Sequence, residues 1–270
     1  MEFTTYGGIS ILNAIPALVG AAMAISLEAK VHVEPGSCEM DEFVKFIINY
    51  ASRALSISGD YCAKVESNIP SSSGLKSNSA VASAIIYALA HEAGIGLKPI
   101  EAAALAAEAT KAHGSSITGA FDDASASVLG GITVTDNSVN RLIMHANAPE
   151  EVTIVITGHR GVKALNNINS LRGLAPLFND LIPIVLRGDY FRAATINGLL
   201  VAEALGYYRE LFIIGKALSM GALASGVSGN GPSVYAIFKD GEEGPFIDFV
   251  ESLMGYYIRV KPIGVRFSEG

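Results

Sequence analysis

The chain contains no tryptophan and only two cysteines, Cys38 and Cys62. Two cysteines are too few for a disulfide framework and lack the spacing of a metal site, so a reducing cytoplasm is the simplest setting. Charge is also scarce: 17% of the residues are charged, and no run of Lys and Arg offsets a net charge of −7. That balance argues against nucleic acid or an anionic membrane as the main partner. The longest apolar run near the N-terminus, AIPALVGAAMAISL at 14–27, is shorter than the about 20 residues that a membrane span needs. The first basic residue, Lys30, lies behind this run, where a secretory signal would have its positive flank in front. The run is expected to be buried core. No internal repeat and no low-complexity tail interrupts the 270 residues.

What is present is apolar. Half of the chain is hydrophobic, enough for one large domain or two of ordinary size with a substantial core. LEAKVHVE (27–34), YCAKVESNI (61–69), GITVTD (131–136), VTIVITG (152–158), PSVYAIF (232–238) and YYIRVKP (256–262) read as strands, and RLIMHA (141–146) as the hairpin partner of GITVTD. Ahead of them the opening reads as strands and turns, with Gly7-Gly8 and Gly20 as punctuation. Helical spacing covers 41–55, two alanine-rich stretches at 77–93 and 98–112, and then 163–187, 189–205, 208–223 and 243–254. Strands and helices mix without a regular βαβ alternation, which predicts an α+β fold. NAPEE at 147–151 is the best boundary, dividing residues 1–150 from 151–270.

Three stretches carry chemistry. The first is NIPSSSGLKSNSAVASAIIYALA (68–90), where serines, a glycine and Lys76 crowd the mouth of a helix. A helix start exposes unpaired N–H groups and the positive end of the helix dipole, and glycine lets a ligand come close. Together these make an anion seat, most often for phosphate; the alternative is a solvent-exposed capped turn. Neither G-x-x-x-x-G-K-[ST] nor a G-x-G-x-x-G between strand and helix is present, so a nucleotide here implies neither a Walker nor a Rossmann domain. The second stretch is GAFDDASASVLGG (119–131). An ionised carboxylate at Asp122 or Asp123 could take the proton of an attacking alcohol or help to hold Mg²⁺, and capping the helix is the alternative for one of the two. The third is ASGVSGNGPSVYAIF (224–238), where Gly226, Gly229 and Gly231 suit either a close backbone approach or an ordinary tight turn.

In this order the three stretches resemble the GHMP kinase superfamily. Pro70, Gly74, Leu75 and Ser77 match its P-x-x-x-G-L-x-S-S-A motif; Asn78 stands where the second serine is usual, and Ser79 follows. SGNGPSV matches the C-terminal glycine motif. Within the superfamily the chain most resembles the archaeal shikimate kinases, through GGISILNAI, through the lysine in SSSGLKSNSA and through TGAFDDASASVLGG.

The resemblance implies a two-domain fold with the ATP and substrate cleft between the domains. It also implies transfer of the ATP γ-phosphoryl group to a hydroxyl of shikimate, giving shikimate 3-phosphate. Pro70, Ser71, Ser72, Ser73, Gly74, Leu75, Lys76, Ser77, Asn78, Ser79 and Ala80 are expected to form the ATP loop, with Asn78 and Glu108 as Mg²⁺ ligands. Asp123 is expected to be the catalytic carboxylate, because counting back from Gly130 reaches it. Asn13 for a ring hydroxyl, Arg160 for the carboxylate, and Gly229 and Gly231 along the far wall are the expected substrate contacts. Homoserine kinase is the alternative, though its usual lack of an acid here speaks against it; a mevalonate-type kinase and a non-catalytic ligand sensor stand further off. No nucleic acid or membrane partner is expected, and exposed edge strands would suit a homodimer.

Overall fold

The computed structural model describes residues 1–158 and 167–267. Two antiparallel sheets organise it. The first is built on β2 (Val19–Pro35), a 17-residue strand that pairs along one edge with β1 (Glu2–Leu12). Its other edge takes β4 (Ile132–Asp136) at its start and β3 (Tyr61–Ser67) at its end, and β5 (Arg141–Ala146) closes the β4 hairpin. The second sheet has the order β7 (Ala224–Val227), β8 (Val234–Lys239), β6 (Val152–Thr157), β9 (Ile258–Val260). Strand β6, VTIVIT, has every residue buried, its Thr153 and Thr157 hydroxyls donating to Asp240 Oδ1 and Tyr256 O.

Helices cover the sheets. In the first half, α2 (Glu42–Ala54) starts on Asp41, whose side chain accepts from the Val44 N–H at 2.8 Å. Then come α3 (Ser77–Glu92), α4 (Pro99–His113) and α5 (Phe121–Leu129), after the four-residue α1 (Ala14–Ala17) between β1 and β2. Helix α3 is buried nearly all round, and its alanines and serines let α4 and the sheet approach closely. In the second half lie α6 (Ile168–Gly173), α7 (Ala175–Leu186), α8 (Tyr190–Leu205), α9 (Tyr208–Ser219) and α10 (Gly244–Met254). The chain end then returns to the first half: Lys261 O accepts from Ser26 N, Ile263 N donates to Ala24 O and its O accepts from Gly131 N, and Arg266 N donates to Leu129 O.

Several expectations need correction. Strand β1 runs through Gly7-Gly8 with only a register shift after Tyr6, and Gly20 lies inside β2, so these glycines do not end strands. At Gly20 the reason is steric, since a Cβ there would meet the Asp122 carboxyl carbon at 2.5 Å. The described part of the stretch 163–187 is two helices meeting at Leu174, with a proline in the first turn of α7, where its missing N–H costs nothing. Helix α9 stops at Ser219 ahead of Gly221, whose φ is +93°. The two cysteines, read as too few to form a framework, are joined as a single disulfide that ties the turn after β2 to the start of β3. Among the described residues, no helix is long and apolar enough to cross a membrane.

Candidate active site

Strand β1 forms an edge of the first sheet, and outward N–H groups of β1 and of Asn13 just after it find partners in two loops and in α8. Gly8 N donates to Leu75 O, Ser10 N to Ser228 Oγ, and Asn13 N to Asn197 Oδ1. An edge that would otherwise invite another strand thus becomes the seam where the serine-rich loop, the glycine loop and α8 converge. Beside it opens a cleft of about 360 Å³.

Two helices point their N-termini into this cleft. Helix α3 follows Lys76 and α5 follows Ala120, both left-handed (φ +72° and +53°), and neither start carries a side-chain cap. The serines therefore do not cap α3: Ser73 instead braces its own loop, donating to Pro70 O at 2.6 Å. With Ser77, Asn78 and Ala120 lining the cleft, two positive dipole ends face the same space, which suits a polyanion. The loop is laced to the glycine loop by Ser228 Oγ donating to Gly74 O at 2.9 Å and Ser233 N donating to Ser73 O at 3.2 Å. Gly74 (φ +87°) has no room for a side chain, since a Cβ would overlap the Ser228 carbonyl oxygen.

The charged centre stands where the helices meet. Lys76 Nζ lies 2.7 Å from Asp123 Oδ1 and donates to Ser10 Oγ at 2.6 Å, with only 5% of its side chain exposed. Apart from this ion pair, Asp123 Oδ1 is buried with no hydrogen-bond partner, which leaves the carboxylate charge-balanced but short of donors. Ser10 Oγ also accepts from Gly229 N at 3.0 Å, so one hydroxyl joins the ion pair to the far wall. Asp122, next in the chain, points the other way: its Oδ1 accepts from Asn137 Nδ2 at 2.7 Å. Burial, and then the charge of Asp123, push the Asp122 carboxyl up to about 7, against the opposing pull of Lys76 and the Asn137 bond.

The cleft gathers most of the expected residues. Pro70, Ser72, Ser73, Gly74, Leu75, Lys76, Ser77, Asn78 and Ser79 line it, as do Asp123, Asn13 and Gly229. Asn13 donates from Nδ2 to Gly229 O and Asn230 Oδ1, both at 3.1 Å, while its Oδ1 caps α1 at Ile15 N. Four expected residues lie elsewhere. Ser71 is exposed outside the lining, and Ala80 is fully buried within α3. Gly231 packs against the Tyr207 ring. Glu108 sits on the exposed face of α4, near Tyr50 on α2, whose phenol is raised by burial and then by the Glu108 charge; Thr110, two residues on, faces the cleft instead. Arg160 lies outside the described residues.

Sequence reasoning missed Ser10, Thr110, the hydroxyl run Ser115, Ser116 and Thr118, and Asn230, all of which line the cleft. Ser10 carried a signal, as a lone hydroxyl in the apolar stretch ISIL; SSIT after Gly114 carried another. A hard cation such as Mg²⁺ asks for oxygen ligands and keeps several waters beside a nucleotide's phosphates. The Asn78 amide and the hydroxyls of Ser77 and Ser79 at the cleft wall meet that demand. Among the described residues, no group of three or more His, Cys, Asp or Glu could hold a metal by itself.

The comparisons with known proteins agree on one family. The family description "GHMP kinases N terminal domain" matches residues 42–131 and "GHMP kinases C terminal" matches 212–248. A shikimate kinase of Methanocella arvoryzae is 35% identical over 250 residues, covering 89% of this chain and 86% of that protein. One from Pyrococcus furiosus is 33% identical, covering 87% and 90%. Among solved structures, the mevalonate kinase of Methanococcus jannaschii superposes with a TM-score of 0.76 at 14% identity, over 99% of this chain and 98% of that one. The homoserine kinase of Cytophaga hutchinsonii gives 0.70 at 16%, over 98% and 96%.

Proposed function

The chain belongs to the GHMP kinase family, and from that premise we propose that it transfers the γ-phosphoryl group of ATP to a hydroxyl of shikimate, giving shikimate 3-phosphate and ADP. The observation that carries the chemistry is the Asp123 carboxylate standing in the same cleft as the uncapped start of α3, 2.7 Å from Lys76. Phosphoryl transfer asks mainly for positioning and charge neutralisation. The free N–H groups at the start of α3, with the hydroxyls of Ser72, Ser77 and Ser79, hold the phosphates. Asp123 accepts the proton of the attacking hydroxyl, and Lys76, itself held by Ser10, keeps that carboxylate turned into the cleft. Mg²⁺, held by Asn78 and neighbouring hydroxyls, would supply neutralisation of phosphate charge. Asn13, whose amide is already engaged by the glycine loop, orients the acceptor's side of the cleft. A cytoplasmic setting is part of this proposal, since the reaction draws on ATP; the Cys38–Cys62 bridge is unusual for a reducing compartment.

A coupled ADP-release assay with ATP·Mg and a panel of shikimate, homoserine and mevalonate tests this reading. Turnover is expected with shikimate. Asp123→Asn is expected to lower kcat on the order of 10²-fold or more while the fold stays intact. Full activity in that variant would remove Asp123 from the proton transfer, and turnover confined to another alcohol would remove shikimate.

A further inference from the structure

Asn13, the expected substrate contact, has no hydrogen left to donate. It is 5% exposed. Its Oδ1 accepts from Ile15 N at 2.9 Å, which identifies the other end of the amide as Nδ2. The two hydrogens of Nδ2 go to Gly229 O and Asn230 Oδ1, each at 3.1 Å. What Asn13 does is hold Asn230. Because Asn13 offers a donor, the atom of Asn230 that meets it is the side-chain oxygen, and the Asn230 NH₂ is the other end of that amide.

Asn230 is fixed through its backbone as well. Its carbonyl accepts from the Tyr207 hydroxyl at 2.7 Å, and Gly229 N, just before it, donates to Ser10 Oγ at 3.0 Å. Gly231, just after it, packs on the Tyr207 ring. The residue is half-buried and lines the cleft. Its Nδ2 has no hydrogen-bond partner among the described residues, and it is not one of the polar atoms sealed from solvent without a partner. An amide pinned at its oxygen, with both N–H groups unused, is a preorganised donor.

Phosphate already finds the free N–H groups at the starts of α3 and α5. Asn230 belongs instead to the wall that it shares with Asn13, Ala14 and Ile15. Its neighbour Gly229 is linked through Ser10 to Lys76, and so to Asp123. Lys76 is the one cation lining the cleft among the described residues, and Asp123 takes it. An oxygen-rich alcohol must therefore draw on neutral donors along this wall.

We infer that Asn230 Nδ2 donates to an oxygen of the alcohol substrate, and that Asn13 is the positioning residue that keeps this donor turned to the cleft. The inference rests on the proposed phosphoryl transfer, though not on which alcohol is taken.

The test measures KM for shikimate and for ATP, with kcat, in wild type, Asn230→Ala, Asn230→Asp and Asn13→Asp. Asn230→Asp keeps the shape and an oxygen for Asn13 to bond, so a mere brace of the glycine loop survives in it; what it loses is the donor. Asn230→Ala is expected to raise KM for shikimate by on the order of tenfold, the worth of one hydrogen bond, and KM for ATP by less than about twofold. Asn230→Asp is expected to raise KM for shikimate at least as much. Asn13→Asp still caps α1 but offers Asn230 no donor, so the Asn230 amide turns over. It is expected to raise KM for shikimate by a similar factor and to add little in an Asn230→Ala background. A wild-type KM for shikimate in Asn230→Asp would overturn the inference, as would a rise confined to ATP. Full additivity of the two sites would overturn the positioning role of Asn13. If wild type takes homoserine or mevalonate in place of shikimate, the proposed substrate falls and the same comparison is read on that alcohol. Transfer to none of them overturns both.

Discussion

A carboxyl group at 3% exposure is sensitive to its neighbours, and Asp122 faces the Asp123 charge on one side and the Asn137 amide on the other, with Lys76 beyond. Its folded-state pKa is pushed up to about 7, above the ordinary carboxyl value that it regains on unfolding. Between those two values the folded protein holds a proton that the unfolded chain releases, so stability falls as pH rises through that window. Asp122→Asn removes the effect. Its stability relative to wild type is therefore expected to improve steadily from pH 5 to pH 7.5, read as the difference in urea midpoints. A difference that stays flat with pH would mean that Asp122 remains ionised throughout. At this scale the sequence was half legible. Lys76 stood out by residue type and Asp123 was singled out from Asp122 only through the family resemblance, whereas Ser10 and Asn137 act through contacts between distant segments that no local pattern records. Glu108 misses the cleft for a related reason: a helix position is set by its angle around the axis, and the two residues from Glu108 to Thr110 turn α4 by about 200°, from solvent to the cleft wall.

At the level of elements, the two uncapped helix starts matter most. Each follows a left-handed residue that is not glycine, a conformation that costs some free energy and that the loop contacts around Lys76 and Ala120 must sustain. The helix after the serine-rich stretch was plain from its alanine content, but the left-handed entries were not, since nothing in a lysine or an alanine announces them. The disulfide was equally invisible, because pairing depends on β2 and β3 lying side by side and not on the count of cysteines. It closes a span of 24 residues. The double variant Cys38→Ser/Cys62→Ser is expected to lose about 3 kcal/mol against the oxidised protein in chemical denaturation. An equal midpoint for the two proteins would show that the bridge does not constrain the unfolded chain.

For the molecule as a whole, the α+β class followed from strands and helices that mix without a regular βαβ alternation, but the order of the strands in the sheets and the return of the chain end did not. Residues 261–267 leave β9 and bond across β2 and α5, with the Arg266 guanidinium set over the rings of Phe3, Tyr6 and Phe267. A chain stopped at Val260 gives up four of these backbone hydrogen bonds and the stacked arginine. It is expected to lose about 3 kcal/mol or more, at roughly 1 kcal/mol per bond, measured as the shift in its denaturation midpoint. Unchanged stability would make the segment an ornament of the surface.

The bond between Ser10 and Gly229 spans 219 residues. Domains fold as they leave the ribosome, N-terminal part first, so an unfinished chain can assemble its ion pair and serine loop long before the glycine wall exists. The cleft therefore gains the wall that carries Gly229 and Asn230 only near the end of synthesis.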